Sequence, residues 1–468
     1  MLGAAATLCA FVSCQKDNLA GNKTGFVKVD ATAEVVPETK VTLGELKDGK
    51  FPMSWGASGE FIKVCEIVDD ATFQKVDSEE GVIDPATGKA HFGFTLTEAS
   101  GDNFDYYAIS PKTAYNALAA DKVKVKMPVA QTPTATSPDP AAIIMFASST
   151  ANSEQPTELD LKFKPLVSVV KMNVKDLELP EEETLANIQI GFNSKPMASL
   201  YSYTTATGKW SAEVGNSTFS HIDINPANIT VDDDFDVWFA TLPFTVIEVE
   251  NDLGKPESYL DFWVCFVTDK GTRVSKNCTA PKGFKFAAGH VVNLDFDMSD
   301  VTVPAFSVEF DFSQNLYEWP TTGQADPAGY WHPGSDGEEY YFQYRMAYFK
   351  TNGCFQVGNG IYADPESEKP GYSWLKFPNV EGYRLTGVYV KLFNKDAERT
   401  MSVTEDIEGT QFVSGGEIMS YCCANNKFCT EINRTLVDTE TDVDYYFTAG
   451  WSKRAYVPFT SLILTYSE

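Results

Sequence analysis

An all-β chain of about three domains is what this sequence predicts, and three observations predict it. Short runs rich in β-branched and aromatic residues recur throughout, separated by Gly, Asn, Asp and Pro, while sustained helical periodicity is hard to find. Alternation is explicit in KVKVKM, where Lys122, Lys124 and Lys126 alternate with Val123, Val125 and Met127, the pattern of a strand with one wet and one dry face. At 468 residues and 43% hydrophobic content, the chain is too long for one core and apolar enough to fold.

The chain opens on a processing segment. Leu2 to Ser13 is an uncharged run of twelve residues, short of the roughly 20 that a spanning helix needs, and it reads as a secretory signal over residues 1–13. The plainer alternative is an apolar N-terminus with a buried cysteine. Phe11-Val12-Ser13-Cys14 resembles a bacterial lipobox. That resemblance implies acylation of Cys14, a lipid tether to the outer membrane and no other cofactor, each buried methylene contributing roughly 0.8 kcal/mol to retention. Lys16-Asp17 is similar to the charged tag that sends some lipoproteins to the outer face of that membrane.

Two composition shifts divide the rest. Residues 128–158 carry four Pro in their first thirteen positions and a Ser/Thr-rich end, enclose one short apolar strand, and read as a long surface connection between β domains. At MSDVTVPA, residues 298–305, aromatic content changes: 30 Phe, Trp and Tyr fall in residues 1–300 and 31 in residues 301–468. The expected units are therefore 14–158, 159–299 and 300–468. Within them KAHFGFTLT, FKPLVSVVKMNV, ANIQIGF, FDVWFATLPF, YLDFWVCFV and VVNLDFDM are strand candidates.

Charge narrows the partners. Lys plus Arg number 37 against 65 Asp plus Glu, a formal charge of −28, which disfavours nucleic acid and points to protein, glycan or cations. Setting aside Cys9 and Cys14 leaves seven cysteines, an odd set that makes no disulfide framework. Cys65 and Cys265 sit inside strand-like runs as small hydrophobes. Cys422, Cys423 and Cys429 lack a nearby His and make a poor metal set.

Trp55, Gly59, Glu60, Ile62 and Val64 in FPMSWGASGEFIKV are followed by AHFGFTLTEASGDNFDYYAISP, LKFKPLVSVVKMNV and FKFAAGHVVNLDFDM. On these motifs, in this order, the first 300 residues resemble the fimbrillin-like surface lipoproteins, with Glu60 where that family's opening signature has Asp. The resemblance implies two tandem transthyretin-like β-sandwiches over residues 14–299. It also implies a place at the cell surface, and association with fimbrial subunits by strand addition. The first Arg is Arg273 and 168 residues follow the second sandwich, so the pattern is not that of a polymerising shaft subunit released by Arg-specific cleavage.

Residues 300–468 resemble, in strand pattern, a galactose-binding-like jelly-roll β-sandwich. Sugars stack on exposed ring faces, and the loop-like aromatics Trp331, Tyr372, Trp374 and Trp451 are the candidate glycan contacts. Tyr340, Phe342, Tyr344, Met346 and Tyr348 fall on one face and read as core; His332 reads as a solvent-facing turn residue. Asp336, Glu338 and Glu339 form an acidic turn, with calcium the alternative, and Asp232 to Asp234 with Asp236 read as a second such turn.

Catalytic patterns are missing. The four His residues lie outside zinc spacing, and the chain has no nucleophile elbow, P-loop or dinucleotide fingerprint. The expectation is a non-catalytic, lipid-anchored surface adhesin or fimbrial tip or accessory protein, presenting its last domain to protein or to host or dietary glycans. A glycan-capture lipoprotein for nutrient uptake is the alternative, and a glycoside hydrolase the third reading.

Overall fold

The fold is seen in a computed structural model. It describes residues 25–35, 55, 60–70, 72–119, 121–192, 196–213, 219–232, 234–245, 249–250, 256–257, 261–279, 284–323, 326–358, 373–393, 399–409, 411–416, 419–421, 430–449 and 456–468. The chain is all-β. Among the described residues the helical pieces are single 3-10 turns at Lys112–Ala114 and Pro140–Ala142, and no helix is long and apolar enough to cross a membrane.

One eight-stranded sheet makes the first lobe. Its order is Thr72–Asp77, Lys63–Val68, Asn103–Ser110, Met145–Asn152, Glu158–Pro165, Phe26–Val35, Ala90–Thr97 and Val82–Ile83. Met145–Asn152 and Glu158–Pro165 touch through only two residue pairs, Met145 with Pro165 and Phe146 with Lys164, and the two halves of the sheet face each other about that joint. Ala90, Phe92, Phe94 and Leu96 are buried while the residues between them are not, the period of two that a half-buried strand requires. Trp55 sits in this core. Its indole donates to the Ala33 carbonyl at 3.2 Å and meets Phe92 and Phe163 edge-on, both at 5.3 Å. Ile62 and Val64 of the same signature are buried with it, and Gly59 lies outside the described residues. A buried carboxylate crosses the lobe: Glu66 accepts from Tyr106 at 2.7 Å, from Gln155 at 2.8 Å, and from Gln74.

The second lobe is interlocked with the first. Tyr115–Ala119 and Lys122–Lys126 pair with Leu200–Thr204 and Lys209–Glu213 in a four-stranded sheet, and Ala130–Gln131 joins His221–Ile224. That last pair is the edge of a five-stranded sheet running on through Leu185–Phe192, Asp261–Thr268 and Arg273–Thr279. Asp234–Thr241, Ser168–Lys175 and Val291–Asp297 form the sheet that faces it. One core therefore runs from Cys65, Tyr107 and Phe146 to Phe296 and Met298. Val123, Val125 and Met127 are its dry face, as the alternation requires.

Residues 128–158 differ from the expected surface connection. Ile143, Ile144 and Met145 are fully or almost fully buried, and Met145–Asn152 pairs with Asn103–Ser110 along its length. Proline and serine content marks where the chain turns; here the apolar residues between the turns fill the joint of two lobes. The 158/159 position falls at the start of Glu158–Pro165, which belongs to the first sheet. Asp234 and Asp236 lie in the strand Asp234–Thr241, with Asp236 2.9 Å from Lys171, so these two acidic residues belong to the strand and not to a turn before it.

Two six-stranded sheets make the last unit, and a single aromatic-rich core fills the space between them. Tyr456–Ser467 pairs with Cys354–Gly358, Arg384–Leu392 and Phe306–Asp311 in one sheet. Ala328–Pro333, Glu339–Arg345, Ser373–Lys376, Tyr446–Ala449, Arg399–Thr404 and Met419–Tyr421 make the other. Met346, at φ 53, is the corner where the chain leaves one sheet for the other. Tyr340, Phe342 and Tyr344 thus face the core from one sheet, while Tyr348 belongs to the second, its hydroxyl 2.8 Å from Gln356.

Removing the Trp55 ring leaves a cavity between Phe92 and Phe163 together with a bare Ala33 carbonyl. Trp55→Ala is expected to cost about 3–5 kcal/mol, read as a lower urea midpoint for the first unfolding transition.

Candidate functional site

A hairpin at the edge of the last unit carries the candidate site. Gly334-Ser335-Asp336-Gly337 turns the chain between Ala328–Pro333 and Glu339–Arg345, and Gly337, at φ 86, takes a left-handed conformation that disfavours side chains. Asp336 accepts from the Glu338 amide at 3.1 Å and from the Tyr340 hydroxyl at 2.7 Å, so its carboxylate is engaged in building the turn. Among the described residues no group of three His, Cys, Asp or Glu is placed to hold a metal ion.

From that turn, alternation sends residues to opposite faces. Tyr330, His332, Tyr340 and Phe342 point toward the core; Trp331 and Tyr341, directly paired across the hairpin, point out. Trp331 is 56% exposed and Tyr341 43%, and their rings lie 5.1 Å apart at 49°. Gly329 makes the pair possible. A Cβ there would come within 1.8 Å of the Tyr341 hydroxyl, so only glycine lets that ring lie across the strand. Beside the rings runs a groove of about 440 Å³, whose polar lining is Glu339, Gln343, Lys376, Asn379 and Glu381. Lys376 is bound to Asp444 at 2.6 Å, and Asn379 donates to the same carboxylate at 2.7 Å.

The sequence candidates separate sharply. Trp331 lines the groove. Trp374 does not: it is 5% exposed, lies in the strand Ser373–Lys376 and meets Tyr446 edge-on at 5.6 Å, because its PGYSW context is the start of a strand and not a loop end. His332 is 2% exposed, packed against Phe312 at 4.6 Å and Tyr317 at 4.8 Å, instead of facing solvent; burial lowers its pKa and keeps the imidazole neutral. Tyr372, Trp451, the Cys422, Cys423 and Cys429 set, and Cys14, Lys16 and Asp17 lie outside the described residues. Tyr341 was missed by sequence reasoning, although the alternation that put Tyr340, Phe342 and Tyr344 inside puts Tyr341 outside.

A second cluster lies at the seam of the second lobe and the last unit. His221 stands between Glu431 at 2.7 Å and Asp223 at 3.2 Å, with Trp263 stacked at 6.4 Å. Gly191 leaves the room for that indole, since a Cβ would fall 2.3 Å from it. Ser220 and Thr430 bond reciprocally, amide to hydroxyl, at 3.2 and 3.1 Å. Arg273 lies over the Tyr389 ring at 4.3 Å and donates to Gln189, which in turn donates to Asp223. The two cations and two carboxylates balance. The cluster joins the two units, and its Arg273 end borders a groove of about 430 Å³ lined also by Lys276, Arg384 and Thr435.

No family model matches the chain, and no curated protein matches it. Solved structures do overlap it. A candidate cell adhesion protein from Bacteroides uniformis is 14% identical, with 59% of this chain and 95% of that one covered and a TM-score of 0.34. The fimbrial anchor protein Mfa2 from Porphyromonas gingivalis is 11% identical over 54% and 82%, with a TM-score of 0.28. A fimbrial assembly protein from Parabacteroides distasonis is 11% identical over 68% and 96%, with a TM-score of 0.27. These neighbours are, by description, cell adhesion and fimbrial proteins; overlap at this level transfers no ligand or activity.

The seam carries a pH signature. Burial pulls the His221 pKa down, but Glu431 and Asp223 outweigh it and raise it to about 9 from 6.5. A raised cation pKa stabilises fully below 6.5 and loses that contribution as pH rises through about 9, roughly 3 kcal/mol in this case. Thermal melts of the wild type should therefore fall between pH 6 and pH 10 by more than those of His221→Gln, which lacks the titrating group and is less stable at pH 6.

Proposed function

We propose that the chain is a non-catalytic surface adhesin of the fimbrillin-like type, a fimbrial tip or accessory protein held to the outer membrane by lipid at Cys14. Two interlocked lobes serve as its stalk, and the last β unit is presented to glycans. The exposed Trp331–Tyr341 pair beside a polar groove carries the ligand-binding part of this reading. Ring faces cover the apolar CH faces of a sugar, and neighbouring carboxylates and amides take its hydroxyls. Large exposed aromatics paired on one face have no role in the unit's own core, which is already filled from the opposite face of the same hairpin.

Further support comes from the seam. Arg273, the first arginine of the chain, is 5% exposed and stacked at the joint, so the folded chain offers no arginine for trimming ahead of the last unit among the described residues. That arrangement suits a subunit that presents a domain more than one that opens a groove for a successor's strand. A glycoside hydrolase would place its acid in a desolvated site, whereas Glu339 and Glu381 are both exposed.

Glycan-array binding of the full chain tests the proposal. Saturable binding is expected for the wild type and should fall about tenfold or more in Trp331→Ala, with thermal stability unchanged. Trp374→Ala should do the reverse, losing about 3–5 kcal/mol of stability through its core cavity while the folded fraction still binds. Binding that ignores Trp331 overturns the Trp331–Tyr341 groove as the glycan site, and no binding by any glycan removes the carbohydrate role and leaves protein partners such as fimbrial subunits.

A further inference from the structure

We infer that Glu339 and Glu381 restrict the groove to uncharged glycans, excluding sialylated, sulfated and uronic-acid-bearing ones. The inference rests on the glycan-binding reading of the Trp331–Tyr341 groove and names its ligand class.

The charge lining the groove decides the matter. Its ionisable walls are Glu339, Glu381 and Lys376. Lys376 is the obvious counter-ion for an acidic sugar, but it is engaged: its ammonium lies 2.6 Å from Asp444, whose other oxygen takes the Asn379 amide at 2.7 Å. Among the described residues no ion pair holds Glu339 or Glu381, and both are exposed. The turn beside them adds Asp336 and Glu338, the former tied to Tyr340 by a hydrogen bond that leaves its charge in place. The remaining polar lining, Gln343 and Asn379, is neutral.

A neutral hexose meets this wall favourably. Carboxylate oxygens accept from adjacent hydroxyls, amides supply both donors and acceptors, and the rings take the CH face. A carboxylate or sulfate on the same sugar meets uncompensated like charge, with no free cation among the described lining residues. Each close carboxylate then costs about tenfold in affinity near a protein surface. The chain's net charge of −28 acts in the same direction at longer range.

The test uses the full chain on an array of neutral gluco-, manno- and galacto-configured oligosaccharides. Each is matched with a sulfated, sialylated or uronic-acid counterpart, at low and at physiological salt. The expected result is Trp331-dependent binding to one or more neutral members, with the charged counterpart weaker by about tenfold or more. In Glu339→Gln/Glu381→Gln the ratio of neutral to charged binding should narrow to about threefold or less, even as neutral binding weakens with the loss of its carboxylate acceptors. Because both side chains are exposed, the double variant should melt with the wild type. Charged members that bind as well as neutral ones, still through Trp331, overturn the selectivity while the platform stands. An unchanged gap in the double variant overturns the role of the two carboxylates. Absence of any Trp331-dependent binding overturns the platform itself and the inference with it. Cleavage of a neutral probe that is lost in Glu339→Gln or Glu381→Gln would make the carboxylates catalytic, and likewise overturns the inference.

Discussion

A histidine caught between two carboxylates fixes where the last unit sits. His221 is supplied by the second lobe, as is Asp223, and Glu431 by the last unit. None of the three could be buried alone, since an unpaired ion in a dry seam is far costlier than a paired one. Arg273 completes the balance from the same side as His221 and sits over the ring of Tyr389 from the other, 4.3 Å from its centre. The seam is therefore specified by charge and hydrogen-bond geometry, with reciprocal Ser220 and Thr430 bonds, where a greasy contact would tolerate many orientations. These contacts join the last unit to the second lobe.

Below the seam the same demand is met by apolar means. The first and second lobes exchange strands, so that Tyr115–Ala119 and Lys122–Lys126 complete a sheet belonging to residues 200–213. A single core then spans both lobes, from Cys65 through Phe146 to Met298. Neither lobe buries its faces without the other. Two unlike joints link the parts, one made by a shared core and one by paired charge around the small apolar cluster of Trp263, Cys265 and Tyr389.

The hairpin shows how a site emerges from ordinary strand chemistry. Alternation already commits His332, Tyr340 and Phe342 to the interior, and the odd-numbered partners Trp331 and Tyr341 must then face out. Gly329 clears the path for one ring and Gly337 closes the turn. Lys376 is spent on Asp444, leaving acidic residues and amides to define the groove. The make-up of the groove is a by-product of which neighbours are committed elsewhere.

Local pattern alone determined the all-β class, the strand alternation at KVKVKM and AHFGFTLT, and the burial of Cys65 and Cys265. Each depends on a period of two or on a few adjacent residues. It also marked Trp331 as a candidate. What only the tertiary structure decided is non-local: that Tyr341 partners Trp331, that Trp374 and His332 are buried, that residues 128–158 fill a joint, and that His221 meets Glu431 across 210 positions of chain. No local period records which strands pair or which surfaces meet, because those contacts are chosen by the packing of distant segments against one another.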